Sequence, residues 1–205
     1  MIAKRLESWA SEGQPGRVSL LESEGYRAAR YSFEMVRPTL DDIPEMPLPD
    51  RIEIRPMQPE QYRQVWDADS EAFRDHWGAM DESDEQYMRL FSGERFRPEL
   101  WRVAWDGDEV AGVVIVQILT TLNEATGTRR GLLAGVSVRR QWRRRGLARA
   151  LVADSLRGLR SAGMTSATLG VDSENPTGAL GVYESTGFRV ERREITFRKP
   201  MEVNR

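Results

Sequence analysis

Cysteine is absent from the 205 residues. That absence removes disulfide frameworks, thiolate metal sites and a cysteine nucleophile together. Histidine occurs once, as His76, so a multi-histidine metal cluster has no ligands and a Ser-His-Asp triad has little scope. No metal is expected. Net charge is nearly absent as well: 30 Lys+Arg against 32 Asp+Glu leave −2, with an isoelectric point of about 5.7. Such a balance supplies no global field for nucleic acid or an acidic membrane. The longest apolar run, Val110 to Leu122, contains Gly112, Gln117, Thr120 and Thr121 and is too short to span a bilayer. Met1-Ile2-Ala3-Lys4-Arg5 lacks the apolar stretch of a signal peptide. The expectations are no nucleic-acid partner, no membrane partner and a cytoplasmic location.

What is present is an ordinary soluble composition, 40% hydrophobic and 30% charged. A chain of this size buries roughly 70% of its unfolded surface, enough for a core without staples. Residues 38–50 hold four of the ten prolines and no glycine, which predicts an extended, semi-rigid linker. It separates a head, residues 1–37, from a body, residues 51–205, that is expected to fold without residues 1–45. Head and body resemble each other at one place. Glu22-Ser23-Glu24-Gly25-Tyr26-Arg27 aligns with Glu184-Ser185-Thr186-Gly187-Phe188-Arg189, and further on Arg30 meets Arg192, Arg37 meets Lys199 and Pro38 meets Pro200. Both stretches read as a helix end, a glycine just past it, and a strand opening on an aromatic. The head then reads as a remnant of the end of a preceding, similar domain. Its apolar strand, with Tyr31, Phe33, Met35 and Val36, is expected to add to a sheet, through a homodimer first and its own body second.

Within the body, Ile52–Arg55 alternates like a strand and Pro59–Phe73 and Asp84–Phe91 read as helices. Strands over Leu100–Trp105 and Val110–Thr121 meet across Asp106-Gly107-Asp108, a hairpin signal. Arg130–Val138 is a fourth strand and Leu147–Arg160 a helix with apolar residues at helical spacing, stopped by Gly163. A fifth strand, Ala167–Val171, precedes a helix opened by Asn175 and Pro176 as cap and first residue, and Phe188–Arg198 closes the chain. The order specifies a mixed α/β or α+β domain.

Chemistry concentrates in Val136-Ser-Val-Arg-Arg-Gln-Trp-Arg-Arg-Arg-Gly-Leu-Ala-Arg-Ala150. A β-branched strand enters an arginine-rich turn, and Gly146 opens a helix whose first N–H groups and positive dipole end suit a pyrophosphate. Gly146 and Ala148 let the phosphate approach the backbone, and Arg143, Arg144, Arg145 and Arg149 add charge and donors. A Walker loop lacks its Gly-Lys-Ser/Thr ending here, a Rossmann fingerprint lacks its glycines, and a nucleic-acid role for the arginines runs against the overall charge.

Arg143-x-x-Gly146-x-Ala148 after Val136-x-Val138 resembles the acyl-CoA-binding motif of the GNAT N-acetyltransferase family. Asn175-Pro176, Ala179, Val182-Tyr183-Glu184 and Gly187-Phe188 are similar to its closing motif, and the resemblance covers about residues 51–200. Phe73-Arg-Asp-His-Trp-Gly78 and the Arg37–Asp50 connector look like the second half of tandem members, the mycothiol synthase-like group. The resemblance implies a mixed twisted sheet with helices on both faces, split between the body's strands four and five to admit acetyl-CoA. It implies direct acetyl transfer to a primary amine, with a catalytically idle acyl-CoA-binding or scaffolding domain as the alternative. Val136, Ser137 and Val138 would flank the pantetheine arm, residues Arg143, Arg144, Arg145, Gly146, Leu147, Ala148 and Arg149 would hold the pyrophosphate, and Asn175 would touch the cofactor. Tyr183 would be the acid near the thioester sulfur. Plain readings stand beside these: strand core for the valines, a helix cap for Asn175, a buried aromatic for Tyr183. Arg140 stands where the family often has proline. For the base, Glu71, Asp75, His76, Glu124 and Asp172 all remain open, with His76 beside Trp77 the foremost substrate contact.

Overall fold

The protein is described by a computed structural model covering residues 5–74, 76, 81–175 and 178–201. Asp75, Trp77, Gly78 and Pro176, and the first four residues, lie outside the described residues. In chain order the elements are β1 (Arg5–Ser11), α1 (Pro15–Ser23), β2 (Arg27–Arg37), β3 (Ile52–Ile54), α2 (Tyr62–Phe73), α3 (Asp84–Ser92), β4 (Arg102–Asp106) and β5 (Glu109–Ile118). There follow α4 (Thr120–Thr126), β6 (Arg130–Val138), α5 (Leu147–Ser161), β7 (Ser166–Asp172), α6 (Ala179–Ser185) and β8 (Arg189–Pro200). Single 3-10 turns, Pro59–Gln61 and Arg140–Trp142, lead into α2 and the arginine-rich turn.

One mixed sheet runs β1-β8-β2-β7-β6-β5-β4-β3, antiparallel throughout except for the parallel β6–β7 pair. Alternate residues of β5 serve opposite faces. Val114 and Val116 join the cluster under α5, with Leu151, Leu156 and Leu159, while Val113 and Ile115 join the aromatic cluster under α2 and α3, with Trp66, Phe91 and Trp105. Cover on both faces explains why β5 reads as an unbroken apolar run.

The expected split is present between β6 and β7. Their ladder extends only from Arg130↔Ser166 to Leu133↔Leu169. Past Leu133, β6 keeps its β5 partners as far as Gly112↔Val138 but has none on β7. The β5–β6 register slips between Ile115 and Val116, paired with Gly135 and Leu133, so Ala134 is a bulge residue at the fork.

The head enters the body's sheet. Strand β2 lies between β7 and β8, and β1 extends the sheet beyond β8. Of the two expected outlets for the head's apolar strand, the one used here is its own body. Met35 is fully buried in the α5-side core with Leu40 of the proline-rich connector. That connector forms no helix or strand and is fastened over its first half: Arg157 donates to Pro44 O, Arg160 to Leu40 O and Asp41 O, and Arg37 to Asp42 O. A body that folds without residues 1–45 is at odds with this topology, because β7 and β8 have no ladder with each other except through β2.

Three local expectations need correction. Strand β5 stops at Ile118 and Thr120 begins α4, a seven-residue helix closed by Gly127 in the left-handed region at φ 63°. Asn123 secures it, accepting from Arg130 N and Thr128 Oγ1 and donating to Arg130 O. Helix α6 starts at Ala179 behind Gly178 (φ 74°), so Asn175 is no helix cap and sits in a turn with its N–H on Asp172 O. The head carries β1, a strand the periodicity of Arg5–Ser11 does not announce.

Candidate functional site

Where β6 and β7 diverge, a cleft of about 890 Å³ opens between the end of β6, the arginine-rich turn, the start of α5 and α6. Ten of the twelve residues given a cofactor-binding or acid role in the sequence line it: Val136, Ser137, Val138, Arg143, Arg144, Gly146, Leu147, Ala148, Arg149 and Tyr183. Arg145 and Asn175 are not among its described lining residues. Ala72, His76, Trp142, Gly178, Ala179 and Val182 complete the wall.

The turn is built from the inside out. Trp142 is buried, its Nε1 donates to Asp106 Oδ2 at 3.1 Å, and the Arg139 guanidinium lies 5.1 Å from its ring. Arg143 donates from Nε to Val138 O at 2.8 Å and from Nη2 to Ala72 O at 3.0 Å, so much of its donor capacity braces the turn. Arg144 (φ 64°) and Gly146 (φ 88°) adopt left-handed backbone, and a side chain at Gly146 would extend into open space. Gly146 offers α5 no side-chain cap. The first N–H groups of α5 thus have no partner within the helix. They form the positive, anion-attracting end of its dipole, with the exposed side chains of Arg144 and Arg149 also on the cleft. Leu147 itself is buried and fixes the helix start to the core.

Tyr183 comes from α6, nearly buried, its ring edge-on to Phe188 at 6.1 Å between centroids. Burial pushes its hydroxyl up to about 12, so it keeps its proton throughout the physiological range.

The candidate bases separate by geometry. Glu71 is held by Arg139, with Nη2 to Oε2 at 2.8 Å. Asp172 is gripped by Arg30 of β2, Nε to Oδ1 at 2.9 Å and Nη2 to Oδ2 at 2.8 Å. Burial raises the Asp172 carboxyl, but the hydrogen bonds from Arg30 and Glu174 N together with the Arg30 charge outweigh it, and the net shift is downward. A carboxylate so stabilised is a weak base. Glu124 lies in α4 and lines a different, open hollow with Asn123, Gly127 and Met164. His76 lines the cleft, its N–H bonded to Phe73 O and its ring 4.6 Å from that of Phe73.

One ionisable group beneath the cleft wall escaped the sequence reading. Asp69, 3% exposed in the middle of α2, accepts a hydrogen bond from Ser137 Oγ at 2.6 Å. Burial pushes its carboxyl up to about 6 against the opposing effect of that bond. The available signal was a carboxylate in the apolar stripe of α2, in step with Val65, Trp66 and Ala72.

Among the described residues, no group of three or more His, Asp and Glu is placed to hold a metal ion, and no helix is long and apolar enough to cross a membrane. Curated relatives include the mycothiol acetyltransferase of Nocardiopsis dassonvillei, 28% identical over 216 residues that span 95% of this chain and 64% of that protein. The enzyme of the same name from Streptomyces bingchenggensis is 32% identical over 201 residues, 95% of this chain and 63% of that one. The chain thus spans somewhat under two thirds of the length of these relatives. A GCN5-related N-acetyltransferase from Sphaerobacter thermophilus superposes with a TM-score of 0.79 at 28% identity, over 98% of this chain and 61% of that one. A tandem GNAT protein from the clavulanic acid biosynthesis pathway shares the fold, with a TM-score of 0.70 at 15% identity, over 98% of this chain and 65% of that one. The sequence profile described as Acetyltransferase (GNAT) family matches residues 55–188, from just after β3 to just before β8 and across the whole cleft, and the chain belongs to that family.

Proposed function

We propose that the chain transfers an acetyl group from acetyl-CoA to a primary amine by direct attack in a ternary complex. One observation carries the reading: the uncapped start of α5 and its arginines meet the unpaired half of β6 and Tyr183 in a single cleft. The pyrophosphate would lie on the N–H groups at Gly146–Arg149, and the exposed Arg144, Arg145 and Arg149 would offer charge to the outer phosphates. The pantetheine arm would run along Val136–Val138, replacing the ladder partner that β7 withholds. Backbone N–H groups of that unpaired stretch would receive the developing oxyanion.

A typical alkyl amine is about 0.1% neutral at pH 7, a deficit near 4 kcal/mol, so a proton acceptor is needed. His76 is the residue supported for this, because among the described candidates it is the one that lines the cleft. The Tyr183 hydroxyl, pushed up to about 12, lies well above the roughly 8.5 of an alkyl thiol. It therefore acts as a hydrogen-bond donor to the departing sulfur and retains its own proton. Lacking cysteine, the chain has no thiol for an acetylated intermediate. The names of the curated relatives make an amine precursor of mycothiol the first acceptor to try. We also read residues 1–37 as a remnant of a second, similar domain, 38–50 as the joint and 51–205 as the transferase unit, whose sheet the remnant now completes through β2.

The test is calorimetric titration with acetyl-CoA followed by thiol release over a panel of amines. Gly146→Glu places a carboxylate on the phosphate seat and should weaken acetyl-CoA at least about tenfold, or 1.4 kcal/mol. Unchanged affinity overturns the cradle. Tight binding with no thiol release on any amine leaves only the idle acyl-CoA-binding reading.

A further inference from the structure

Asp69 is an odd residue to find where it is. It shares the buried positions of α2 with Val65, Trp66 and Ala72, one carboxyl oxygen on Ser137 and the other, Oδ2, buried with no hydrogen-bond partner in the protein. A buried carboxylate half satisfied in this way is destabilising above its own pKa, which favours a task over a packing role.

The neighbouring contacts say what the task is. Three near-consecutive positions on the last turns of α2 reach across to the cleft-facing strand and turn: Asp69 to Ser137, Glu71 to Arg139, and Ala72 O to Arg143. These ties fall on the part of β6, and the turn after it, that has no ladder with β7. A strand held by one edge alone is free to relax toward the gap. The α2 ties supply the missing constraint, and the Ser137 tie is the one made on the strand itself.

Building on the acetyl-CoA reading above, we propose that Asp69 is a positioning residue: through Ser137 it holds the unpaired half of β6 against α2 and so keeps the cleft open to the acyl-CoA arm. Asp69 never meets the ligand. What it needs is an acceptor oxygen at Oδ1, not a charge.

That distinction sets the experiment, with acetyl-CoA as the calorimetric probe and thermal melts as the control for folding. Asp69→Ala and Ser137→Ala should each weaken acetyl-CoA about tenfold, and the double variant no more than either alone, since both remove one tie. Asp69→Asn keeps the acceptor and should bind within threefold of the parent. Hydrogen exchange at the amides of residues 134–138 should quicken in the alanine variants and stay slow in Asp69→Asn. Parent-like affinity in a folded Ser137→Ala overturns the proposal, whether or not Asp69→Ala folds. So does an Asp69→Asn variant as weak as Asp69→Ala, because the charge would then be what matters. Failure of the parent protein itself to bind acetyl-CoA sinks the functional reading instead, and leaves the exchange pattern to judge the tie.

Discussion

The β1–α1–β2 unit and the β7–α6–β8 unit follow one pattern at a constant spacing, Gly25 and Gly187 standing 162 residues apart at corresponding points. They interleave in the sheet as β1-β8-β2-β7. The β2–β8 register is symmetric under that spacing. Arg27↔Arg198 and Val36↔Arg189 exchange, as do Arg30↔Thr196 and Glu34↔Arg192, while Ser32↔Glu194 maps onto itself. Both bulges obey the exchange, and the outer pairs β1–β8 and β2–β7 follow it to within one residue. The two units differ in what surrounds them. Around α6 lie α5 and the cleft, and Tyr183 is buried. Helix α1 has no buried residue, Leu20 is 60% exposed, Trp9 of β1 is 56% exposed, and the residue matching Tyr183 is Leu21. One backbone pattern borders the cleft in the β7–α6–β8 unit and extends the sheet in the β1–α1–β2 unit.

The most forceful way to break this comparison is to remove the copies separately. Deleting residues 1–45 withdraws β2 from between β7 and β8 and strips Met35 and Leu40 from the core. The product should lose its cooperative melt and native circular dichroism. Deleting residues 1–24 takes only β1 and α1, whose contacts form the small cluster around Ile195 and Phe197, and should leave a cooperative melt with acetyl-CoA binding intact. If the longer deletion folds and binds, the interleaved sheet is not what holds the body together.

The difference between the units is sharpened at Tyr183 and Leu21. Tyr183→Phe keeps the ring against Phe188 and removes only the hydroxyl. Turnover should fall by roughly 10²-fold, the usual effect of losing one preorganised donor at a developing charge, with acetyl-CoA affinity nearly unchanged. Leu21→Ala should lower the melting temperature and leave turnover per folded molecule alone. Equal turnover in Tyr183→Phe and the parent would make the two positions functionally alike.

Most of the body's elements were legible because they rest on strong local patterns, whereas the split was expected only through the family resemblance. The β-branched Val136–Val138, the arginine turn and the helical spacing of Leu147, Leu151, Val152, Leu156 and Leu159 all lie where the structure uses them. What escaped depends on partners distant in sequence. Strand β1 is exposed on most of its length and exists through β8, nearly 190 residues away. Helix α4, Thr-Thr-Leu-Asn-Glu-Ala-Thr, has poor helix formers and is shaped by Asn123 closing onto Arg130 and Thr128. Asp69 becomes notable only when β6 brings Ser137 to it. The arginine motif displayed its charge but not its division of labour: Arg143 braces carbonyls, and Arg144 and Arg149 remain exposed on the cleft.

Smaller effects are expected at the paired glycines. Both hold left-handed backbone, φ 82° at Gly25 and φ 86° at Gly187, so alanine is strained at either by about 1 kcal/mol. A methyl at Gly25 meets only the flexible end of Lys199 at ordinary contact distance. At Gly187 it would collide with the guanidinium of Arg37, a nearly buried side chain donating to Thr186 O and Asp42 O. Gly187→Ala should therefore destabilise by about 3 kcal/mol and Gly25→Ala by about 1, read from denaturant melts. Equal losses would mean that Arg37 moves aside freely.

The smallest difference is the most diagnostic of the pseudo-symmetry, because Arg30 and Arg192 occupy exchanged positions with unequal partners. Arg30 is mostly covered and bidentate on Asp172, while the Arg192 side chain is 55% exposed and shared between Glu34 and Glu194. Because Arg30 holds the Asp172 carboxyl below its ordinary range, its stabilisation is present above about pH 4 and lost as the pH falls through the depressed value. Arg30→Ala should lower the melting temperature by a few degrees at pH 7, and the gap to the parent should close as the buffer is taken toward pH 2. Arg192→Ala should shift it by less at low salt, and that shift should shrink further at high salt, as exposed ion pairs do. Were both substitutions to respond alike to acid and to salt, the strand beside the cleft would be no more tightly held than its counterpart, and the asymmetry between the two copies would lie in Tyr183 alone.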